Sequence, residues 1–368
     1  MKIRLFTCSF LLLFTLFTGY NMYAQTIEKS RTVKKTFKVE AGTEIEIANK
    51  YGNVHIVPWE KDSVQFTIEL LVKGTKESKV DKSYDYIEFD FKNTQYYVIA
   101  QTLFAGKSSF WSDVSDLTGA IFNSSTKTKI DYTVHLPAKS KLKIANKYGN
   151  IYISDHAGDI EIELSNGDLK AHRLLGNADI TTEFGNTNIR QISNADMLVS
   201  YGEVDIEQAE SLIIESKSSK FFIDKVGSLN LNSKRDKFYL KDAGSILGII
   251  NFSLIETDQL GQKLNLSAKY GDIEVKSFSN SVTSFDIDSE SADIILHFTD
   301  HKVYNIEATV DAKTEVMYSA DIKNITSKEL EGDNDLIEVK STIIGIDNSH
   351  IVPVNLKTRG GSISLKLK

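Results

Sequence analysis

The seven histidines, His55, His135, His156, His172, His297, His301 and His350, are the first residues to test for metal or proton chemistry. Only His297 and His301 stand close together, with Asp300 between them. Two imidazoles four residues apart on one helix can grip zinc, provided a glutamate follows the first as general base. Here Phe298 follows, and Ile294-Ile295-Leu296-His297-Phe298 reads as a strand, which separates the two rings. Neither a metal nor a cofactor is expected.

Carboxylates come in close pairs at Glu161/Glu163, Asp205/Glu207, Asp272/Glu274 and Asp286/Asp288. A pair of acids can do general acid–base work, as in the pectin-cleaving stacked-coil enzymes. These pairs, however, occupy the outward positions of alternating runs and are interleaved with Lys143, Lys170 and Lys276, the pattern of a solvated sheet face. No Gly-x-Ser-x-Gly elbow occurs, and Gly261 to Tyr270 holds no phosphate loop. The expectation is a protein that is not an enzyme, with no catalytic residue.

Phe104, Phe110 and Trp111 are the candidate binding residues. They stand in a Ser-, Thr- and Gly-rich excursion, residues 103–127, and large aromatics in a polar loop can hold sugars or partner surfaces. The competing reading, which is preferred, is that this loop folds back over an open N-terminal end that would otherwise invite aggregation. Trp59, after Pro58, reads as core or edge packing.

The elements that would carry these residues are set by repetition. Asn49-Lys50-Tyr51-Gly52-Asn53-Val54-His55-Ile56 returns as Asn146-Lys147-Tyr148-Gly149-Asn150-Ile151-Tyr152-Ile153. Degraded copies follow around Phe184-Gly185, Tyr201-Gly202 and Tyr270-Gly271, and Arg359-Gly360-Gly361 fits the template. Gly149, Gly167, Gly185 and Gly202 are 18, 18 and 17 residues apart, and Ser219 and Asp236 keep the beat. Ser291-Ala292-Asp293-Ile294 and Ser319-Ala320-Asp321-Ile322 read as later copies. Within each unit apolar residues alternate, as in Ile160, Ile162 and Leu164, which means two short strands, each with one buried face. Glycine in the turn is expected to supply a positive φ.

A fixed repeat of this length predicts an all-β fold, a parallel β-solenoid of short two-strand coils. A stacked antiparallel arrangement is the alternative. Tyr148, Phe184, Tyr201 and Tyr270 would form an aromatic column at one corner. From Pro137 onward about 13 coils would give a rod of roughly 60 Å. Residues 25–136 are less regular: Val64–Val72, Ile87–Phe91, Tyr96–Thr102 and Thr128–Leu136 read as strands, and Lys76–Tyr86 as a short helix.

Lys2 and Arg4 followed by the apolar run Leu5–Phe17 have the layout of a secretory signal peptide, 1–24, cleaved after Ala24. The single cysteine, Cys8, would leave with it, so no disulfide is expected. The domain plan is therefore signal peptide 1–24, an N-terminal β-rich segment 25–136, and repeats over 137–368. A formal charge of −7 offers no basic stripe for phosphates, which argues against nucleic acid as a partner, and no transmembrane segment is expected.

Taken together, the leader, the strand–helix–strand segment after Val64, and the passage from Tyr132-Thr133-Val134-His135-Leu136-Pro137 into Leu142–Ile151 resemble the bacterial putative adhesins with β-strand repeats, exported proteins common in Bacteroidetes. The resemblance spans most of the mature chain and is weakest after Ser277. It implies a β-helical fold and a periplasmic or surface location, and it transfers no functional residue. The expected function is an exported, non-enzymatic binding or structural module at the cell envelope, contacting a glycan or protein along its sheet. A periplasmic envelope-sensing or support protein is the alternative, and a carbohydrate-active solenoid enzyme the second.

Overall fold

The computed structural model describes residues 26–104, 126–330 and 336–368. The expected leader, Phe110 and Trp111 lie outside the described residues. The front section holds β1 (Ile27–Lys38), β2 (Glu44–Lys50), β3 (Val54–Trp59), β4 (Ser63–Gly74), α1 (Glu77–Asp85), β5 (Ile87–Asn93), β6 (Tyr97–Phe104) and β7 (Thr126–Pro137). The middle holds β8 (Lys141–Lys147), β9 (Ile151–His156), β10 (Ile160–Ser165), β11 (Leu169–Glu183), β12 (Thr187–Ser200), β13 (Glu203–Lys217), β14 (Lys220–Lys234), β15 (Lys237–Asn251), β16 (Leu254–Lys269), β17 (Asp272–Val275) and β18 (Ser284–Phe298). The back holds β19 (Lys302–Asp311), β20 (Glu315–Tyr318), β21 (Thr326–Glu329), β22 (Leu336–Ile343) and β23 (Asp347–Leu367).

The described chain is nearly all β, and its strands form one continuous mixed sheet. Across the middle every neighbour is parallel and one repeat away. Ile162 lies between Ile144 and Ile180, and Ile214 lies between Met197 and Leu231. The chain thus makes one circuit per layer. Alternate residues of each circuit point inward and stack on their counterparts as columns, one of which runs Val204, Phe221, Phe238, Ile255. All four are buried, and each such side chain contributes roughly 1.5–3 kcal/mol by leaving water. No circuit can close its own core, so each layer depends on the next.

The expected two short strands per unit are present in the circuit of β9 and β10, and from β11 to β16 they fuse into one strand of up to 16 residues. Hydrogen bonding runs through one soft bend and breaks at one tight corner. The step between layers changes from 18 to 17 inside the bend, where Leu174 pairs with Ile192 but Asn177 pairs with Asn194.

At the tight corner the expected role of glycine is corrected. The positive φ falls on the residue before the glycine position, whether that position holds glycine, as after Tyr51, Tyr148, Asn166, Phe184, Tyr201 and Tyr270, or Ser, Asp or Ala, as after Ser218, Arg235, Phe252 and Ser291. These residues have φ between 52° and 68°, and only at the last corner does a glycine, Gly360, carry it. Glycine is needed for a different reason, the close approach of stacked backbones. A Cβ on Gly185 would lie 1.8 Å from the carbonyl oxygen of Gly167, and one on Gly149 would lie 1.9 Å from that of Gly52.

The front section contains the first regular layer. β2 and β3 stack directly beneath β8 and β9, Asn49 beside Asn146, although the two phrases stand far apart in sequence. β6 and β7 form the layer before it, again parallel. Then the pairing turns antiparallel, β5 on β6, β4 on β7 and β1 on β4. The helix expected near residues 76–86 is α1. It has Glu77 in its first turn, where a carboxylate favours the dipole, and it buries Val80 and Ser83. Among the described residues these elements cover the N-terminal end.

The back departs from the expected beat. The layer above β18 is β23, Glu290 beside Arg359. The intervening chain returns on the far side of β23, where β19 and β20 run parallel to it as a further layer, with β22 antiparallel on β19 and β21 antiparallel on β22. Ser319–Ile322 is therefore not a corner copy; it is a turn after β20. Among the described residues from 137 on, ten corners carry the left-handed φ, the last at Gly360, and the turn between β19 and β20 stacks on that one, fewer than the thirteen coils expected.

Two substitutions separate the roles of neighbouring corner residues. Gly185→Ala should cost more than about 3 kcal/mol, because the clash is with backbone that cannot move aside. Ser218→Gly should change stability by no more than about 1 kcal/mol, since relief of the left-handed φ and the greater entropy of glycine oppose each other. Thermal melts of the two proteins check this, and similar losses for both would refute the division of labour.

Candidate functional site

The corner residues project outward at the layer spacing, so whatever stands there is stacked on its neighbours. Six are aromatic and form three face-to-face pairs. Tyr51 and Tyr148 have centroids 5.4 Å apart and planes within 7°; Phe184 and Tyr201 are 5.0 Å and 5° apart; Phe252 and Tyr270 are 4.9 Å and 18° apart. Five of these rings are exposed, and Tyr51 is half-buried against the core. Tyr148 is 41% exposed, Phe184 51% and Phe252 53%.

The residue before each corner, or its counterpart one layer on, is often lysine. Lys50 lies over Tyr51 and Tyr148, Lys147 over Tyr148, Lys217 over Tyr201 and Lys269 over Tyr270, with Nζ 5.2–5.9 Å from the ring centroids. Each such cation–ring contact contributes about 0.5–1 kcal/mol at an exposed site. The edge therefore displays apolar rings and positive charge on a chain whose formal charge is −7.

Inside the corner, polar side chains hold the turn. Asn146 Nδ2 donates to the carbonyls of Gly52 and Gly149 at 3.0 and 2.8 Å. Where serine and aspartate replace the corner glycine, Asp236 becomes a buried hub. Its carboxylate accepts from Ser216 Oγ, Ser233 Oγ and the Ser219 amide, each at 2.7 Å, and from the Lys234 amide at 2.9 Å. Four donors compensate for the loss of water around that charge.

Of the sequence-derived candidates, Phe110 and Trp111 lie outside the described residues. Phe104 is 2% exposed, and its ring meets Tyr51 edge-on at 6.0 Å, so it packs in the core and offers no platform to solvent. Its parity could have shown this, since Val98, Ala100, Thr102 and Phe104 alternate inward along β6. Trp59 is half-buried at the sheet edge, donating from Nε1 to the Ser63 carbonyl at 2.7 Å.

The two neighbouring histidines have separate partners. His297 bonds Glu274 at 3.0 Å and His301 faces Asp300 at 3.8 Å. Among the described residues no group of three or more His, Cys, Asp or Glu is placed to hold a metal ion. The paired carboxylates have partners across the layers: Glu161 bonds Lys143 at 2.5 Å, Glu207 faces Arg190 at 3.4 Å, and Asp286 accepts from Asn355 at 2.8 Å. Asp272 has its pKa raised by burial and by the nearby Asp293.

At the soft bend Asp155 faces both Arg173 and His172, at 2.7 and 2.6 Å. The hydrogen bond from Arg173, and then that from His172, lower its pKa to about 2. What that pair adds to stability is complete above the unfolded value of 3.8 and disappears as pH falls through about 2.

No protein-family model matches the sequence, and no curated protein matches it. Solved structures do. A putative cell adhesion protein from Clostridium sporogenes shares 10% identity over 92% of this chain and 100% of its own, with a TM-score of 0.19. A putative adhesin from Bacteroides fragilis shares 16% over 72% and 97%, with a TM-score of 0.26. A putative lipid binding protein from Parabacteroides distasonis shares 10% over 91% and 96%, with a TM-score of 0.32. The structures similar to this chain thus include putative adhesins of Bacteroidetes and Clostridium, the family that the sequence resembles.

Two measurements follow from the site. In a double-mutant cycle on Phe184→Ala and Tyr201→Ala, the coupling energy should be about 0.5–1.5 kcal/mol, and additive losses would show that the rings do not support one another. The second concerns His156, which is 1% exposed in the column of Leu174 and Ile192, where burial outweighs the backbone groups of Asp159 and Ser140 that lie beside its ring. Burial lowers its pKa from 6.5, so on acidification the unfolded chain takes up the proton first. Stability is then full above 6.5 and falls below it. His156→Leu should be at least as stable as the parent at about pH 7.5 and gain on it towards about pH 5.5. A constant difference in denaturation free energy would refute this.

Proposed function

We propose that this is an exported β-solenoid that acts as a non-enzymatic binding module at the cell envelope, gripping a glycan or protein chain along its aromatic corner. The observation that carries the reading is the row of three stacked ring pairs, five of their six rings exposed, flanked by lysines on one edge. Such an edge repeats one contact many times at fixed spacing, so weak individual contacts multiply into avidity. The parallel layers β8–β18 supply the rigid support. The absence of a chemical step is favoured by the carboxylates' cross-layer partners, which tie those acids to neighbouring cations. Among the described residues no helix is long and apolar enough to cross a membrane.

The reading is tested with purified protein and isolated envelopes of the native host. Replacing Phe184, Tyr201, Phe252 and Tyr270 by serine should reduce binding at least tenfold while the circular dichroism of the fold persists. Unchanged binding would refute the corner as the binding edge. Protease treatment of intact cells locates the module. Digestion favours adhesion at the outer surface, and protection until lysis favours a periplasmic envelope-support role with the same edge.

A further inference from the structure

The three ring pairs do not run on continuously. Between Tyr148 and Phe184 the corner layer carries Asn166, placed there by the hydrogen bonds from the Tyr148 amide to the Ser165 carbonyl and from the Asn166 amide to the Glu183 carbonyl. Tyr148 is stacked on one side by Tyr51, and Phe184 is stacked on the far side by Tyr201. The two remaining faces look at each other across one missing ring. With about 5 Å per layer, their centres are about 10 Å apart, which is room for one ring with a contact on each face. The side chain beneath the gap is the exposed amide of Asn166, which makes no hydrogen bond among the described residues.

We propose that this gap is a subsite for one pyranose unit of a glycan, clamped between Tyr148 and Phe184 with its hydroxyls bonded to Asn166; the proposal rests on reading the corner as a binding edge. A pyranose presents apolar C–H faces above and below and hydroxyl groups around its rim. It satisfies both ring faces and the amide together. An aromatic side chain of a partner protein would fill the gap but leave the amide buried without a partner, a loss of about 1–3 kcal/mol. A nucleobase could bond the amide, but its phosphates would meet a chain of formal charge −7. Lys147 over Tyr148 and the exposed Glu183 beside Phe184 add a donor and an acceptor at the rim. The wider gap between Tyr201 and Phe252 holds two residues, Ser218 and Arg235, and is too broad for one ring to touch both walls.

Asn166→Phe tests the clamp without removing a ring. Phe184 and Phe252 show that phenylalanine accepts the same φ, 55° in both against 57° at Asn166. The substitution should therefore fill the gap, leave the melting temperature at or above that of the parent, and complete a five-ring column. Saturation-transfer NMR with cellohexaose, mannohexaose and chitohexaose as probes should show transfer to ring C–H protons for at least one. Affinity for that sugar should fall at least tenfold in Asn166→Phe and in Phe184→Ala, and Gly-Trp-Gly should show no comparable dependence on position 166. Transfer from none of the three sugars, or equal affinity in Asn166→Phe, overturns the clamp. The envelope assay separates the two readings, because Asn166→Phe keeps all six rings. Envelope binding that survives in Asn166→Phe, with no sugar bound, removes the clamp and leaves the corner. Envelope binding that survives in the four-serine protein removes the corner.

Discussion

The approach of one glycine backbone to the next, layer upon layer at the tight corner, is the constraint on which the rest depends. Parallel layers repeat at about 4.8 Å, and where glycine backbones stack at the corner there is no room for a Cβ. The gap of 2.1 Å between a hypothetical Cβ on Gly167 and the Gly149 carbonyl states this directly. The left-handed conformation lies on the residue before this position, whether or not glycine follows, and favours a side chain free of β-branching there. Tyr, Phe, Asn, Ser and Arg occupy these positions, and no Val, Ile or Thr does. Their side chains then leave the corner at the layer spacing, which is close to ring-stacking distance. The backbone constraint that closes the circuit thus also aligns the rings.

Where the glycine column is interrupted, the chain solves the same problem with hydrogen bonds. Ser219, Asp236 and Ser253 occupy three successive layers in place of glycine and are all buried. Ser233 Oγ bonds both Asp236 and Ser253, and the Asp236 amide donates to Ser253 Oγ at 3.1 Å. The middle of the stack is thereby held by a fully bonded polar chain, the alternative to close backbone contact. A half-bonded version would be worse than glycine, so the three residues form one unit.

Much of this was legible in the sequence, because the repeat and the period-two alternation are local signals. Ile160, Ile162 and Leu164 do face inward, and Tyr148, Phe184, Tyr201 and Tyr270 do share a corner. What was not legible depends on pairing across long separations. Nothing local says that Tyr51 stacks on Tyr148, or that β18 takes β23 as its neighbour while β19 and β20, earlier in the chain, stack on the far side of β23. The dipeptide Tyr-Gly also hides which of its two residues carries the positive φ. A propensity argument assigns it to glycine, and only the stacked backbone shows why glycine is taken for another purpose. Phe104 is the reverse case: its surroundings in sequence are polar, but strand parity carries it into the core.

The corner contains its own control for whether the rings serve closure or recognition. Asn166, Ser218 and Gly360 close their layers with the same handed turn and no ring, so the fold does not need an aromatic there. Asparagine and glycine accept the left-handed region with least strain, whereas tyrosine and phenylalanine hold it at a cost of order 1–3 kcal/mol each. A stacked pair returns about 0.5–1.5 kcal/mol, which does not by itself favour two rings over two asparagines. Six large side chains left 41–53% exposed in five of the cases, on strained backbone, with lysines laid over them, are poorly explained by stability alone. Their pairing makes more sense as preorganisation: each ring is held in place by its partner before any ligand arrives, so less conformational freedom is lost on contact.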